Sequence, residues 1–348
     1  MSRCRGTAWV DHDGSIMTDR SCGPDSATLS PHMRAAVILG LGCSPKELEP
    51  FQAVETAVAN NIEWRMGMPG SGDEADVILI FGGDGTIHRH LGQLVRLGVP
   101  VLVVPAGSGN DFARALGLRR VRDSVAAWLK FCKGEGDARS HDARADHVRT
   151  VDLGLITPLE SSDGAAGADG SRYFCCVAGV GLDGEVSRRA NRLPRWLRGH
   201  GGYVVSLVPT IFSFAPVRVK ILAAADGDEP EHRGGAWIVR SDRPTILAAF
   251  ANTPVYGGGM KIAPLAKMDD GLLDVCVVGA VDRMRLLRLF PTVYSGKHLG
   301  VPEVEYFQAG RVRVETEYPV DVYADGEYVC HTPVEVGVQR AALRAVRL

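Results

Sequence analysis

Val77-Ile-Leu-Ile-Phe81 runs directly into Gly82-Gly-Asp-Gly-Thr86, and Val101-Leu-Val-Val104 into Pro105-Ala-Gly-Ser-Gly-Asn-Asp-Phe-Ala-Arg114. Each apolar run reads as a buried strand, and each glycine-rich loop leads into a helical pattern. After Thr86 the residues Ile87, Leu91, Leu94 and Val95 recur at helical spacing until Gly98 stops them. Two consecutive strand–loop–helix units place both loops at the carboxyl edge of a parallel sheet, where open α/β sheets bind ligands. Gly82, Gly83 and Gly85 let the backbone approach a ligand, and the helix start offers free N–H groups to phosphate. The plain alternative is a tight turn in which Asp84 or Thr86 only caps the helix. Three glycines argue against it, because they cost conformational entropy unless something occupies the space they leave. Asp84 is also suited to holding Mg²⁺ against nucleotide phosphates. In the second loop Gly107 and Gly109 flank Ser108, and Asn110-Asp111 is expected to cap the helix carrying Phe112 and Leu116.

Outward from these loops, Ala35–Leu39 reads as the first buried strand. Ser44-Pro-Lys-Glu47 has capping-box spacing with Pro at the first helical position. Residues 61–66 suggest another strand, and Val121, Val125, Trp128 and Cys132 mark a helix ended by Gly134. Residues 1–32 are polar and aperiodic, the composition of a disordered leader. Past residue 150 the pattern changes to short strand-like runs at 173–177, 217–222, 236–239, 246–250, 273–278, 311–316 and 320–323, interrupted by one helix around 284–294. In the run Arg311–Thr316, Val312, Val314 and Thr316 alternate with Arg311, Arg313 and Glu315, as in a half-exposed antiparallel sheet. The fold class expected is therefore α/β plus β. A Rossmann-like parallel α/β domain spans residues 33–150, with the segment from about 330 to 348 a candidate to return to it. A mainly antiparallel β domain spans 151–329, and a cleft lies between the two.

A chain of 348 residues with 45% hydrophobic residues can bury two cores, and its net charge of −2 lacks the basic footprint of a nucleic-acid binder. The eight cysteines form no C-x-x-C pair or zinc spacing and read as reduced thiols, Cys132 and Cys276 in the core. No apolar run is long enough to span a membrane. Arg188-Arg189, Arg192, Arg195-Trp196 and Arg198, followed by the apolar stretch 203–214, read either as a solvated helix face or loop, or as a patch for anionic lipid headgroups with Trp196 at the interface. The expected location is cytoplasmic, with peripheral contact at the inner membrane face; the oligomeric state is not readable.

Taken together, GGDGT and the downstream Pro105–Arg114 loop resemble the diacylglycerol kinase catalytic domain family, which includes bacterial soluble diacylglycerol kinases and sphingosine kinases. The similarity continues through Val151-Asp-Leu-Gly154, Val177–Asp183, Tyr256–Pro264, Asp269–Asp274 and Asp325-Gly-Glu327. It implies transfer of the ATP γ-phosphate, with Mg²⁺, to the hydroxyl of diacylglycerol or a related lipid met at a membrane surface. By motif, Gly82, Gly83, Asp84, Gly85, Thr86, Gly107, Ser108 and Asn110 would face ATP, and Asp111 would complete the nucleotide side and orient the lipid hydroxyl. Glu327 matches the family's general base, and Asp270 with the carbonyls of Lys267 and Leu272 a structural Mg²⁺ site. On residue pattern alone, Asp325-Gly326 is a hairpin-turn signal and Asp269-Asp270-Gly271 an ordinary loop.

Two departures stand out. The family's Asn-Pro-x-x-Gly turn after the first strand reads Gly40-Leu-Gly-Cys-Ser-Pro45 here, and its Asn-Glu after GGDGT reads His88-Arg89. His88 and His90, two residues apart on a helix, point in different directions and read as ordinary helix residues. Two rivals follow: an NAD- or sugar-type kinase sharing the GGDGT loop, and a catalytically inactive lipid-binding regulator.

Overall fold

The computed structural model describes residues 33–58, 61–134, 146–159, 170–192, 202–225 and 236–348, with a two-residue strand pair at 9–10 and 16–17. The first half is a parallel α/β unit. Its strands are β1 (Met33–Leu39), β2 (Ile62–Met66), β3 (Val77–Gly82) and β4 (Val101–Pro105), and its helices α1 (Glu49–Val58), α2 (Asp84–Leu97), α3 (Asp111–Ala115) and α4 (Val121–Lys133). Every residue of β3 is buried, as its unbroken apolar composition requires of a central parallel strand. The strand order is β2-β1-β3-β4, all parallel. Gly82 lies opposite Pro105, so the two glycine-rich loops leave the sheet side by side. Helix α2 ends at Gly98, whose φ of +63° closes it with an N–H to the Leu94 carbonyl. Helix α4 packs on α1, and the Trp128 indole N–H donates to the Phe51 carbonyl at 3.1 Å.

The second half is mainly β. It comprises β5 (Val148–Pro158), β6 (Arg172–Phe174), β7 (Val177–Gly181), α5 (Leu182–Arg192), α6 (Gly202–Ser213), β8 (Val217–Ala224), β9 (Trp237–Ala251), β10 (Leu273–Gly279), α7 (Arg283–Leu289), α8 (Thr292–Ser295), β11 (Val304–Ala309), β12 (Arg311–Thr316), β13 (Asp321–Ala324), β14 (Glu327–His331) and β15 (Val334–Val346). These strands pair antiparallel around a second core that includes Phe174, Phe250, Val275 and Val336. β15 runs antiparallel to β5 and β12, then turns parallel beside β4 at Ala345 opposite Val101, joining the two halves in one sheet.

The architecture is the α/β plus β arrangement expected, with local corrections. The runs 236–239 and 246–250 form one strand, β9, because the loss of the Pro244 N–H does not interrupt its pairing with β8 and β10. The run 173–177 breaks at Cys175-Cys176, whose backbone N–H groups turn away from the sheet toward the Asp325 carboxylate. Strands β5, β11 and β15 escaped the sequence reading, as did helix α6.

Candidate functional site

Asp84 opens α2, yet its carboxylate serves another helix. Its Oδ2 accepts from the Asp111 backbone N–H at 2.9 Å and its Oδ1 from the Phe112 N–H at 3.0 Å. The first loop thus supplies the cap for the helix that follows the second. The cap expected from Asn110 is absent: Asn110 is left-handed at φ +59°, and its side chain turns back to the Gly107 backbone, accepting from N–H at 3.0 Å. Burial is the main reason the Asp84 carboxyl is pushed up to about 6, opposed by the Asp111 N–H and aided by the Asp111 charge.

The glycines explain how the loops fit together. A Cβ on Gly107 would come 2.3 Å from the Gly83 Cα, so the loops touch backbone to backbone. A Cβ on Gly109 would meet the Asp84 carboxylate at 2.6 Å. The Thr86 hydroxyl fills the space above Gly40 and Gly82, so Thr86 packs against the ends of β1 and β3. Ser108 is exposed at the tip of the second loop.

Asp111 is 3% exposed and joins this unit to the β domain. Its Oδ2 accepts from the Gly258 N–H at 3.0 Å, and its Oδ1 pairs with Arg114 at 2.6 Å. Burial holds its carboxyl above the ordinary range despite both partners. Gly257, Gly258 and Gly259 all have positive φ, so this turn can present its backbone to Asp111 as few other sequences could. The end residues of the same turn border an apolar cavity of about 780 Å³ counting the solvent space at its mouth. Tyr256 and Met260 line it together with Leu207, Ile211, Ile246 and Phe290. On its lining the Tyr256 hydroxyl donates to buried Asp183 at 3.2 Å.

Glu327 arrives from the other side. It starts β14 after the Asp325-Gly326 turn, both residues at positive φ as a tight hairpin requires. Its Oε1 lies over Gly85, 2.9 Å from where a Cβ there would stand. The structure therefore brings Glu327, Asp84 and Asp111 around the two loops.

Residues that sequence reasoning passed over complete the centre. Asp325, with a fully buried side chain, accepts backbone N–H bonds from Cys175 at 2.9 Å and Cys176 at 2.8 Å, and a longer one from Val177 at 3.3 Å. His88 faces it, Nδ1 to Oδ2, at 3.0 Å. Burial pulls the His88 pKa down, but the hydrogen bond and charge of Asp325 outweigh it and the net shift is upward. Reading His88 as an ordinary helix residue was wrong, because its partner lies 237 positions away and no local pattern announces it. The neighbouring thiols stay protonated: burial pushes Cys176 to about 12 and Cys175 well above its usual value.

Asp270, Lys267 and Leu272 lie on one separate loop. The Asp270 Oδ1 accepts from the Leu272 N–H at 3.1 Å, turning the carboxylate back over its own loop. Buried Asp152 braces that loop, accepting from the Gly271 N–H at 2.8 Å and from Ala341 on β15 at 2.7 Å. In the basic stretch, Arg188 pairs with Glu185 at 2.6 Å and Arg189 donates to Ser213 at 2.8 Å. Arg195, Trp196 and Arg198 lie outside the described residues. Among the described residues no helix is long and apolar enough to cross a membrane.

Two family models match the chain: the diacylglycerol kinase catalytic domain over residues 51–141, and the YegS C-terminal NAD kinase beta sandwich-like domain over 176–347. A diacylglycerol kinase of Mycobacterium tuberculosis strain H37Rv is 34% identical over 273 residues, covering 78% of this chain and 77% of that protein. A diacylglycerol kinase of Bacillus subtilis strain 168 is 27% identical over 258 residues, covering 73% and 72%. A crystal structure of a diacylglycerol kinase from Bacillus anthracis strain Sterne superposes with a TM-score of 0.59 at 19% identity, over 91% of this chain and 97% of that one.

Proposed function

Because this chain belongs to the diacylglycerol kinase family, we propose that it transfers the γ-phosphate of ATP to the hydroxyl of diacylglycerol or a related lipid. One observation carries this reading. The Tyr256–Met260 turn both borders the apolar cavity, through Tyr256 and Met260, and holds Asp111 beside the phosphate-type loops, through Gly258. An acyl chain in that cavity would bring its polar end toward Asp183, Tyr256 and the loop pair. The N–H groups at the start of α2 and the close-packed backbones of Gly83 and Gly107 are suited to the triphosphate. Phosphoryl transfer asks the protein chiefly to align donor and acceptor and to stabilise developing charge. Glu327 would take the proton of the lipid hydroxyl, and Asp111, fixed by Arg114 and Gly258, would orient it.

Mg²⁺ bound with ATP would neutralise charge on the phosphates. Asp270 with the carbonyls of Lys267 and Leu272 is an oxygen-only donor set suited to a structural Mg²⁺. On α6, Leu207 and Ile211 face the cavity while Val208 and Phe212 stand 45% and 46% exposed. That helix follows the basic stretch 188–198, and together they favour docking on an anionic lipid surface.

The test is a radiolabelled-ATP screen over diacylglycerol, monoacylglycerol, sphingoid bases and phosphatidylglycerol in mixed micelles, beside soluble metabolites. Label in the lipid phase is expected. Label entering only a soluble metabolite, or no ATP binding with or without Mg²⁺, overturns the proposal.

A further inference from the structure

The hairpin carrying Glu327 belongs to the β half, whereas Gly85 beneath the carboxylate belongs to α2 of the α/β half. His88 bridges the two. It stands one helical turn after Gly85, and its Nδ1 meets Asp325 two residues before Glu327. The pair is nearly sealed from water, with side chains 11% and 0% exposed. Asp325 is in turn fixed by the N–H groups of residues 175–177, so it acts as a rigid post. The groups facing this pair are Glu327 and Arg172, the Cys175 thiol at 3.4 Å from Asp325, and Asp84 one turn back on α2.

We propose that His88 is a positioning residue: by donating Nδ1–H to Asp325 it pins the β13–β14 turn onto α2 and thereby sets Glu327 over the first glycine loop. His88 does not meet the reacting atoms in this role. Without His88 the Asp325 carboxylate keeps its backbone N–H partners on the β half but loses its hydrogen bond to α2, so the turn is free to relax away from that helix. Misplacing a catalytic group by about 1 Å can cost on the order of a hundredfold in rate. The proposal rests on the lipid-kinase reading for its kinetic consequence only; the clamp itself is a statement about the hairpin.

Four proteins test it: wild type, His88→Leu, His88→Asn and His88→Gln. Asparagine places an N–H near the Nδ1 position, whereas glutamine places one near Nε2, out of reach of Asp325. Hydrogen exchange over residues 318–331 is expected to quicken in the Leu and Gln variants and to match wild type in the Asn variant. With lipid micelles, kcat is expected to fall by about a hundredfold in the Leu and Gln variants, with KM for ATP within about twofold of wild type. Asparagine is expected to restore most of kcat. Should His88→Leu fail to fold, the Gln and Asn pair carries the comparison. Unchanged hairpin exchange or wild-type kcat without the donor overturns the clamp, as does an Asn variant as impaired as the Gln variant. A wild type silent on every lipid, with the exchange differences present, refutes the lipid-kinase reading and leaves the clamp standing.

Discussion

Replacing Asp84 with asparagine separates the electrostatic cost of the first loop from its structural benefit. The folded Asp84 carboxyl titrates at about 6, against 3.8 ordinarily, chiefly through burial. A raised carboxyl contributes stability that is complete below the unfolded value and is lost as pH rises through the folded one. The full swing is about 3 kcal/mol, of which about 2 kcal/mol falls between about pH 4.5 and 7.5. Asparagine removes that swing. It also loses one of the two backbone N–H bonds to α3, a penalty of about 1 kcal/mol that is independent of pH. Thermal melts of both proteins at stepped pH therefore give curves that cross at acid pH and separate in the variant's favour as pH rises. The variant gains about 2 kcal/mol on wild type from about pH 4.5 to neutral pH, about 3 °C in melting temperature for a chain of this size. Parallel curves, or a wild type that gains relative stability as pH rises, refute the assignment of a buried, costly charge to Asp84.

Three further outcomes follow from the same geometry. Glu327→Gln should reduce lipid turnover to background while equilibrium ATP titration stays at wild-type affinity; an active variant removes Glu327 from the mechanism. Gly107→Ala drives a methyl toward the Gly83 backbone, so it should destabilise the fold by about 1–3 kcal/mol and weaken ATP binding, read by calorimetry. His88, raised above 6.5 by Asp325, lends stability present below 6.5 and lost as pH rises through its folded value. A wild-type minus His88→Asn difference in melting temperature should therefore shrink on the alkaline side, and a constant difference refutes the charged pair.

Sequence patterns revealed the parts whose causes are local. Unbroken apolar runs announced β1, β3 and β4, and the glycine loops announced the sheet edge where Asp84 and Asp111 meet. The Asp325-Gly326 turn was equally plain, because only a few residue types accept its backbone angles. What escaped depends on distant partners. The cap on α3 comes from Asp84, 27 residues upstream of Asp111, and nothing near Asn110 signals that its own side chain is engaged elsewhere. His88 acquires its meaning from a carboxylate at the far end of the chain. Strand β15 hid behind mixed composition, because it alternates only over its first half before exposing Gln339 and Arg340. The cavity was illegible because its walls are gathered from helices and strands spread over residues 182–304.

The contact between Gly83 and Gly107 has an evolutionary corollary. Two peptide planes that lie this close leave no room for a side chain at the contact, so a change at one cannot be accommodated by shrinking the other, which is already minimal. The paired motifs must therefore be inherited as a unit. A descendant that abandoned either one would have to rebuild the whole mouth of the sheet.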